Sequence, residues 1–235
     1  MSALYYLIKS DMKQIYRDPM LLISLVGPFL LILFVRFMVP FAVVEYDLSA
    51  YNELLASFFI LLIPLIVGIM AGFMMLDERD ERMIDYFAVT PLRKQGYLCY
   101  RLLLPGVLTV LYGVLYLEWA SPVSLSVSAT SLVIPLIAMG APIISLCLVA
   151  MAANKIEGLA LSKGVGLLVF IPIVIYFVPG PLHFVGGIIP TFWAAKLFFV
   201  EASNLSVVLL IGCLGVLLNV LCILFLTKRF LRKTD

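Results

Sequence analysis

Six runs of apolar residues, near 20–40, 54–76, 101–118, 131–153, 164–179 and 206–227, decide what this chain can become. A helix needs about 20 apolar residues to cross a hydrocarbon layer roughly 30 Å thick, and each run reaches or approaches that length. The fifth is short, and the third carries Pro105 near its start. The runs are continuously apolar, without the polar alternation of barrel strands, so helices are expected. Of the 235 residues 64% are hydrophobic and 13% charged, whereas a water-soluble domain is near half apolar and a quarter charged. That much apolar surface cannot be hidden in one soluble core. The expectation is a single all-α integral membrane domain over residues 1–235, with six transmembrane helices.

The cations set the orientation. Lys9, Lys13 and Arg17 precede the first run, and Arg79, Arg82, Arg93, Lys94 and Arg101 lie between the second and third. Lys155 and Lys163 separate the fourth and fifth, while Lys228, Arg229, Arg232 and Lys233 follow the sixth. With six spans all of these fall on one side, which should be the cytoplasm of a multi-pass plasma-membrane protein, with both termini inside. Only Arg36 and Lys196 fall elsewhere. The first run is too long for the core of a cleavable signal and should remain as a span. Cys99, Cys147, Cys213 and Cys222 lack metal or redox spacing and read as small apolar fillers, without disulfides.

Residues 2–17, "SALYYLIKSDMKQIYR", differ from the spans. Leu4, Tyr5, Ile8, Met12, Ile15 and Tyr16 share one helical face, and Lys9, Lys13 and Arg17 repeat on another. That pattern predicts an interfacial amphipathic helix with its cations toward anionic headgroups. Asp18-Pro19 then breaks it and begins the first span.

Residues 74–97, "MLDERDERMIDYFAVTPLRKQGYL", hold the densest charge cluster, Asp77 to Arg82, directly against an apolar patch of Met83, Ile84, Tyr86, Phe87 and Val89. The patch is too short to cross anything. Thr90-Pro91 can cap and start the next helix. Two readings of the loop stand: a docking element for another protein, or a loop folded back onto the bilayer.

The order of these features resembles the permease subunits of type-2 ABC exporters of the drug- and antibiotic-export kind. The resemblance rests on an amphipathic helix, the "RDP" of Arg17-Asp18-Pro19, a first span, and then an acidic-basic cluster and the "TPL" of Thr90-Pro91-Leu92 after the second span. It implies that about 78–92, within a cytoplasmic loop over 77–95, forms a coupling helix seated on a separate ABC-type ATPase subunit. Glu78, Arg79, Asp80, Glu81 and Arg82 would be polar contacts of that joint, and Met83, Ile84 and Phe87 its packed core, with Pro91 at its end. Many relatives carry a glycine after the cluster, and here Met83-Ile84-Asp85 takes its place. The resemblance also implies a pairing with a second copy or a homologous permease around a central path lined by the second and fifth spans. Ser57, Phe58, Phe170 and Tyr176 would lie near that path. No cofactor is expected on this chain, with ATP and Mg on the ATPase partner; a lipid bilayer surrounds the pair and no nucleic acid is involved.

Residues 179–205 are apolar yet broken by Pro179, Gly180, Pro181, Gly186, Gly187 and Pro190. No single spanning helix survives those breaks. They can fold as two half-inserted helices at the outer face, where such exporters carry a re-entrant pair, or as a surface loop with an aromatic patch. The lone histidine, His183, reads as a polar loop residue. Arg36, near the outer end of the first span, either snorkels or pairs with Glu45, Asp47, Glu53 or Glu118, or else touches substrate in the path. Prolines within the spans and the glycines Gly68, Gly72, Gly164 and Gly166 imply kinks and close helix contacts.

The absences narrow the function. The sequence contains no G-x-x-x-x-G-K-[ST] loop for phosphate, no paired carboxylates in mid-span, and no serine triad or zinc motif. The chain is therefore expected to be a transport subunit rather than an enzyme, moving small hydrophobic or amphipathic compounds with a partner's energy. Two alternatives stand: a secondary carrier without an ATPase, and a non-transport membrane assembly or immunity protein.

Overall fold

A computed structural model describes residues 19–81, 83, 93–178, 180–200 and 204–234. The amphipathic helix expected over 2–17 lies outside them, as do Arg82, Ile84, Phe87 and Pro91 of the coupling segment. The helices are α1 (Pro19–Glu45), α2 (Asn52–Asp80), α3 (Arg93–Leu115), α4 (Val127–Met151), α5 (Lys155–Gly166), α6 (Ile171–Phe177), α7 (Pro190–Lys196) and α8 (Leu205–Thr234). No strand occurs among the described residues. Six segments are long and apolar enough to cross a membrane, Leu25–Glu45, Ser49–Asp80, Gly96–Ala120, Val127–Met151, Lys155–Phe177 and Leu205–Arg232.

The second and fourth spans form the centre. Of their most apolar windows 56% and 61% are buried, against 22–33% for the other four, so the peripheral helices keep broad apolar faces turned outward. Close backbone approach makes this pairing possible. A Cβ placed on Gly68 would meet the Ala141 carbonyl oxygen at 2.7 Å, and one on Gly72 would meet Leu148 at 2.7 Å. Small residues spaced one turn apart are how helices associate in lipid, where apolar burial gives no net drive. Gly164 and Gly166 have no such neighbour within 4 Å among the described residues, where the close contact expected of them is not made.

Two boundaries depart from the sequence reading. Asp77 to Asp80 form the last turn of α2 rather than a loop, because charges end hydropathy without ending a helix. The fifth span begins at Lys155 rather than near 164. Asn154 caps it, its side-chain oxygen accepting from the Glu157 amide at 2.9 Å. The span is jointed, with a 3-10 turn over Leu167–Phe170 between α5 and α6. Pro172, at the start of α6, has no N–H for the Leu168 carbonyl. The Thr191 hydroxyl of α7 donates to that oxygen instead, at 3.1 Å.

Residues 180–199 fold as two short pieces turned back on each other, a 3-10 helix over Gly180–Ile188 and α7 with its closing turn Leu197–Phe199. The Trp193 indole donates to the Gly187 carbonyl at 2.9 Å. Phe192, Trp193, Leu197 and Phe198 are buried, while Leu182, Val185 and Ile188 point outward. His183 lies against Phe184 and Phe192, with ring centroids 4.5 and 6.2 Å away.

Candidate functional site

Successive residues of a helix point about 100° apart, so the four charges that close α2 address different neighbours. Glu78 turns inward and is 3% exposed. Its carboxylate accepts the Tyr97 hydroxyl at 2.6 Å and the Arg101 Nε at 3.0 Å, and a second Arg101 nitrogen reaches its other oxygen. Tyr97 and Arg101 stand four residues apart on one face of α3, so a single carboxylate grips two consecutive turns. A charge taken out of water is tolerated only when its hydrogen bonds are satisfied, and a forked guanidinium–carboxylate pair does this for both ions.

Arg79 points toward α4. Its guanidinium donates to the Val149 carbonyl at 2.9 Å and the Ala152 carbonyl at 2.8 Å. The last carbonyls of a helix lack intrahelical donors, and Arg79 supplies two to the end of α4. Asp77 and Asp80 take hold of α5. The Lys155 ammonium donates to Asp77 at 2.8 Å, and the Lys155 backbone N–H donates to Asp80 at 3.1 Å. One helical turn of α2 thus bonds to α3, to the end of α4 and to the first residue of α5, immediately before the segment expected to dock a partner.

The nine residues expected in the coupling joint therefore separate. The side chains of Glu78 and Arg79 are used within the chain rather than offered outward, because desolvated charges require internal partners. Asp80 bonds to α5 while remaining exposed, and Glu81 and Met83 are exposed at the surface. Arg82, Ile84, Phe87 and Pro91 lie outside the described residues. Tyr97 was not singled out from sequence, and Arg101 and Lys155 were named only as cations that set the orientation. The available signal was the four-residue spacing of Tyr97 and Arg101, and the Asn154–Glu157 capping pattern beside Lys155.

At the opposite end the expected path residues also divide. Ser57 is fully buried, its hydroxyl donating to the Glu53 and Leu54 carbonyls of its own helix at 2.8 and 3.0 Å. Phe58 and Phe170 belong to an aromatic seam running from α1 across α2 to the 3-10 turn before α6. Phe34 to Phe59, Phe59 to Phe58 and Phe58 to Phe170 follow at centroid distances of 6.2, 5.6 and 5.8 Å. Tyr176 contacts Tyr51 at 5.5 Å and donates to the Ala50 carbonyl at 3.2 Å. Arg36 meets none of Glu45, Asp47, Glu53 or Glu118; its guanidinium lies over the Trp119 ring at 5.7 Å. An exposed arginine at this level relieves desolvation on an aromatic face without an acid.

An internal cavity among Leu61, Pro64, Ile137, Thr191 and Asn219 has about 20 Å3 of free space, close to what one water needs. A drug-sized ligand needs roughly 300 Å3 or more. This cavity is no transport path.

The model of the family described as "Fluoroquinolones export permease protein Rv2686c-like" matches residues 11–227. The chain belongs to the Rv2686c-like export permease family. Two proteins named fluoroquinolones export permease, MT2760 of Mycobacterium tuberculosis strain CDC 1551 / Oshkosh and Rv2686c of strain ATCC 25618 / H37Rv, are each 28% identical to it over 205 residues. Each alignment covers 83% of this chain and 81% of the relative. No solved structure matches. The resemblance to drug-export permeases of the type-2 ABC kind agrees with this membership. As an Rv2686c-like permease the chain is a multi-pass membrane transport protein, and the bonded turn of α2 lies well inside the matched residues.

Proposed function

We propose that this chain is the membrane subunit of an ATP-driven exporter of small amphipathic drugs, with fluoroquinolones as the first substrates to test. Its two termini face the cytoplasm, and a separate ABC-type ATPase carrying ATP and Mg docks on residues 78–92. Two permeases, identical or homologous, form the path between them through their second and fifth spans, with 179–205 as a re-entrant pair at the outer face. Support for the drug class comes from the names of the relatives, and support for a partner ATPase from the permease family and from the resemblance to type-2 ABC permease subunits.

The observation that carries the reading is the last turn of α2. A push on the segment that follows it enters a turn bonded to three other helices at 2.6–3.1 Å. It therefore moves several spans as a body, which is what transmission from an ATPase requires. The aromatic seam through Phe58 and Phe170 gives a planar, partly aromatic drug faces on which to stack, and Arg36 gives a drug carboxylate a cation. Asp80, Glu81 and Met83 are exposed and, with Phe87 of the sequence that follows, are the residues proposed to dock the ATPase.

The test is efflux of a fluorescent fluoroquinolone from cells expressing the permease with a candidate ABC-type ATPase subunit. Export should stop when ATP is depleted and continue when the proton gradient is collapsed at constant ATP. Export that follows the gradient instead would make the protein a secondary carrier.

A further inference from the structure

α8 presents one unbroken outward stripe. Val207, Leu210, Leu214, Leu217, Leu221 and Phe225 recur at three- and four-residue steps, and every one is exposed. The opposite face, with Ile211, Asn219, Leu226 and Phe230, is buried against the body of the chain. From Val207 to Phe225 the stripe rises about 27 Å at 1.5 Å per residue, close to the thickness of the hydrocarbon layer. Lys228, Arg229 and Arg232 then take over the same side of the helix and share a shallow recess with Phe225. All three are exposed, and among the described residues none of them makes an ion pair.

We propose that this face of α8 is a binding site for an anionic phospholipid. The acyl chains lie along Leu214, Leu217, Leu221 and Phe225, and the phosphate sits among Lys228, Arg229 and Arg232. Three cations within one turn and a half, with no ion-pair partner among the described residues, favour an anion. The apolar stripe running into them fixes that anion at the depth of a headgroup. Guanidinium groups bind phosphate oxygens in a bidentate fork, which favours a phosphate ester. A second copy of this chain fits poorly, because symmetric pairing through this face would bring six cations together with no acid among the described residues of the face.

The experiment uses the purified full-length chain in mild detergent, incubated with equimolar phosphatidylglycerol and phosphatidylcholine of matched acyl chains. Native mass spectrometry counts the lipids retained. Each cation near an anionic headgroup contributes roughly a fivefold preference, so the wild type should retain phosphatidylglycerol at least about tenfold over phosphatidylcholine. The Lys228→Gln/Arg229→Gln/Arg232→Gln variant should fall to near parity, while Lys163→Gln, at an exposed lysine on α5, should match the wild type. Soluble glycerol phosphate should not displace the bound lipid. Equal retention of both lipids by the wild type would overturn the proposal, and so would undiminished selectivity in the triple variant. Displacement by glycerol phosphate would assign the cations to a free phosphate. Loss of a dimer in the triple variant, seen as a later elution volume, would assign the face to a second copy.

Discussion

The two ends of this helix bundle are held by different chemistry. Where α2 finishes, ionised side chains and backbone carbonyls meet in directed bonds of 2.6–3.1 Å, and together the bonds reach three other helices. Where α1 and α6 finish, aromatic rings touch at 4.9–6.3 Å with interplanar angles from 43° to 90°. Directed bonds between charged groups fail when moved by an ångström, so they hold helices as one body. Ring contacts tolerate sliding and reorientation at small cost. The first arrangement suits transmitting force, the second suits a surface that must part and re-form around a planar guest.

The comparison breaks most severely at Glu78. Arg101→Met removes the guanidinium that bonds both Glu78 oxygens and should cost about 3–5 kcal/mol of stability, read as a lower unfolding temperature in detergent. Replacing both ions, Glu78→Leu with Arg101→Met, should recover part of that loss, because matched apolar groups replace the ion pair while the Tyr97 hydroxyl loses its bond to Glu78. A double replacement as damaging as the single one would show that the bond itself, and not its symmetry, stabilises this end.

The second effect in size belongs to Arg79→Ala. It removes two charge-assisted bonds from the carbonyls that end α4, and about 2 kcal/mol should follow. Amide exchange should rise at Ala152 to Gly158 in particular. Uniform exchange across the chain would contradict the role of Arg79 as a local cap.

How much of this the sequence displays depends on distance along the chain. The six spans are legible because hydropathy is a local sum, and the helical glycines Gly68 and Gly72 were visible as close-packing candidates. The extension of α2 through Asp77–Asp80 was hidden, since a charged turn lowers hydropathy while remaining a good helix former. The early start of α5 was hidden for the same reason, Lys155, Glu157 and Lys163 diluting its apolar residues. That Glu78 turns inward while Glu81 stays exposed depends on the azimuth of α2 against α3, which no neighbouring residue encodes. Thr191 answering the carbonyl freed by Pro172 joins residues 23 apart, across two chain reversals.

At the aromatic end the expected stability effects are smaller. Phe58→Ala together with Phe170→Ala removes one ring pair at 5.8 Å and should cost about 1 kcal/mol beyond the lost burial. If the seam receives drug, export should fall several-fold more than stability predicts, measured as efflux per folded molecule. Smallest of all is Asp77→Asn, which loosens a pair with Lys155 whose side chains are 20% and 38% exposed. No more than about 1 kcal/mol is expected, diminishing further in high salt. A large, salt-insensitive loss would place Asp77 among the buried bonds beside Glu78.

The most direct test of the central claim, that partner force enters through the segment following α2, is co-purification from the native membrane in mild detergent, wild type beside Phe87→Asp. An ATPase with a phosphate-binding loop should come down with the wild type and be lost from the variant, while the variant keeps the wild-type unfolding temperature. Retention of the ATPase by Phe87→Asp, or its absence from the wild type while the permease stays folded, would contradict the account.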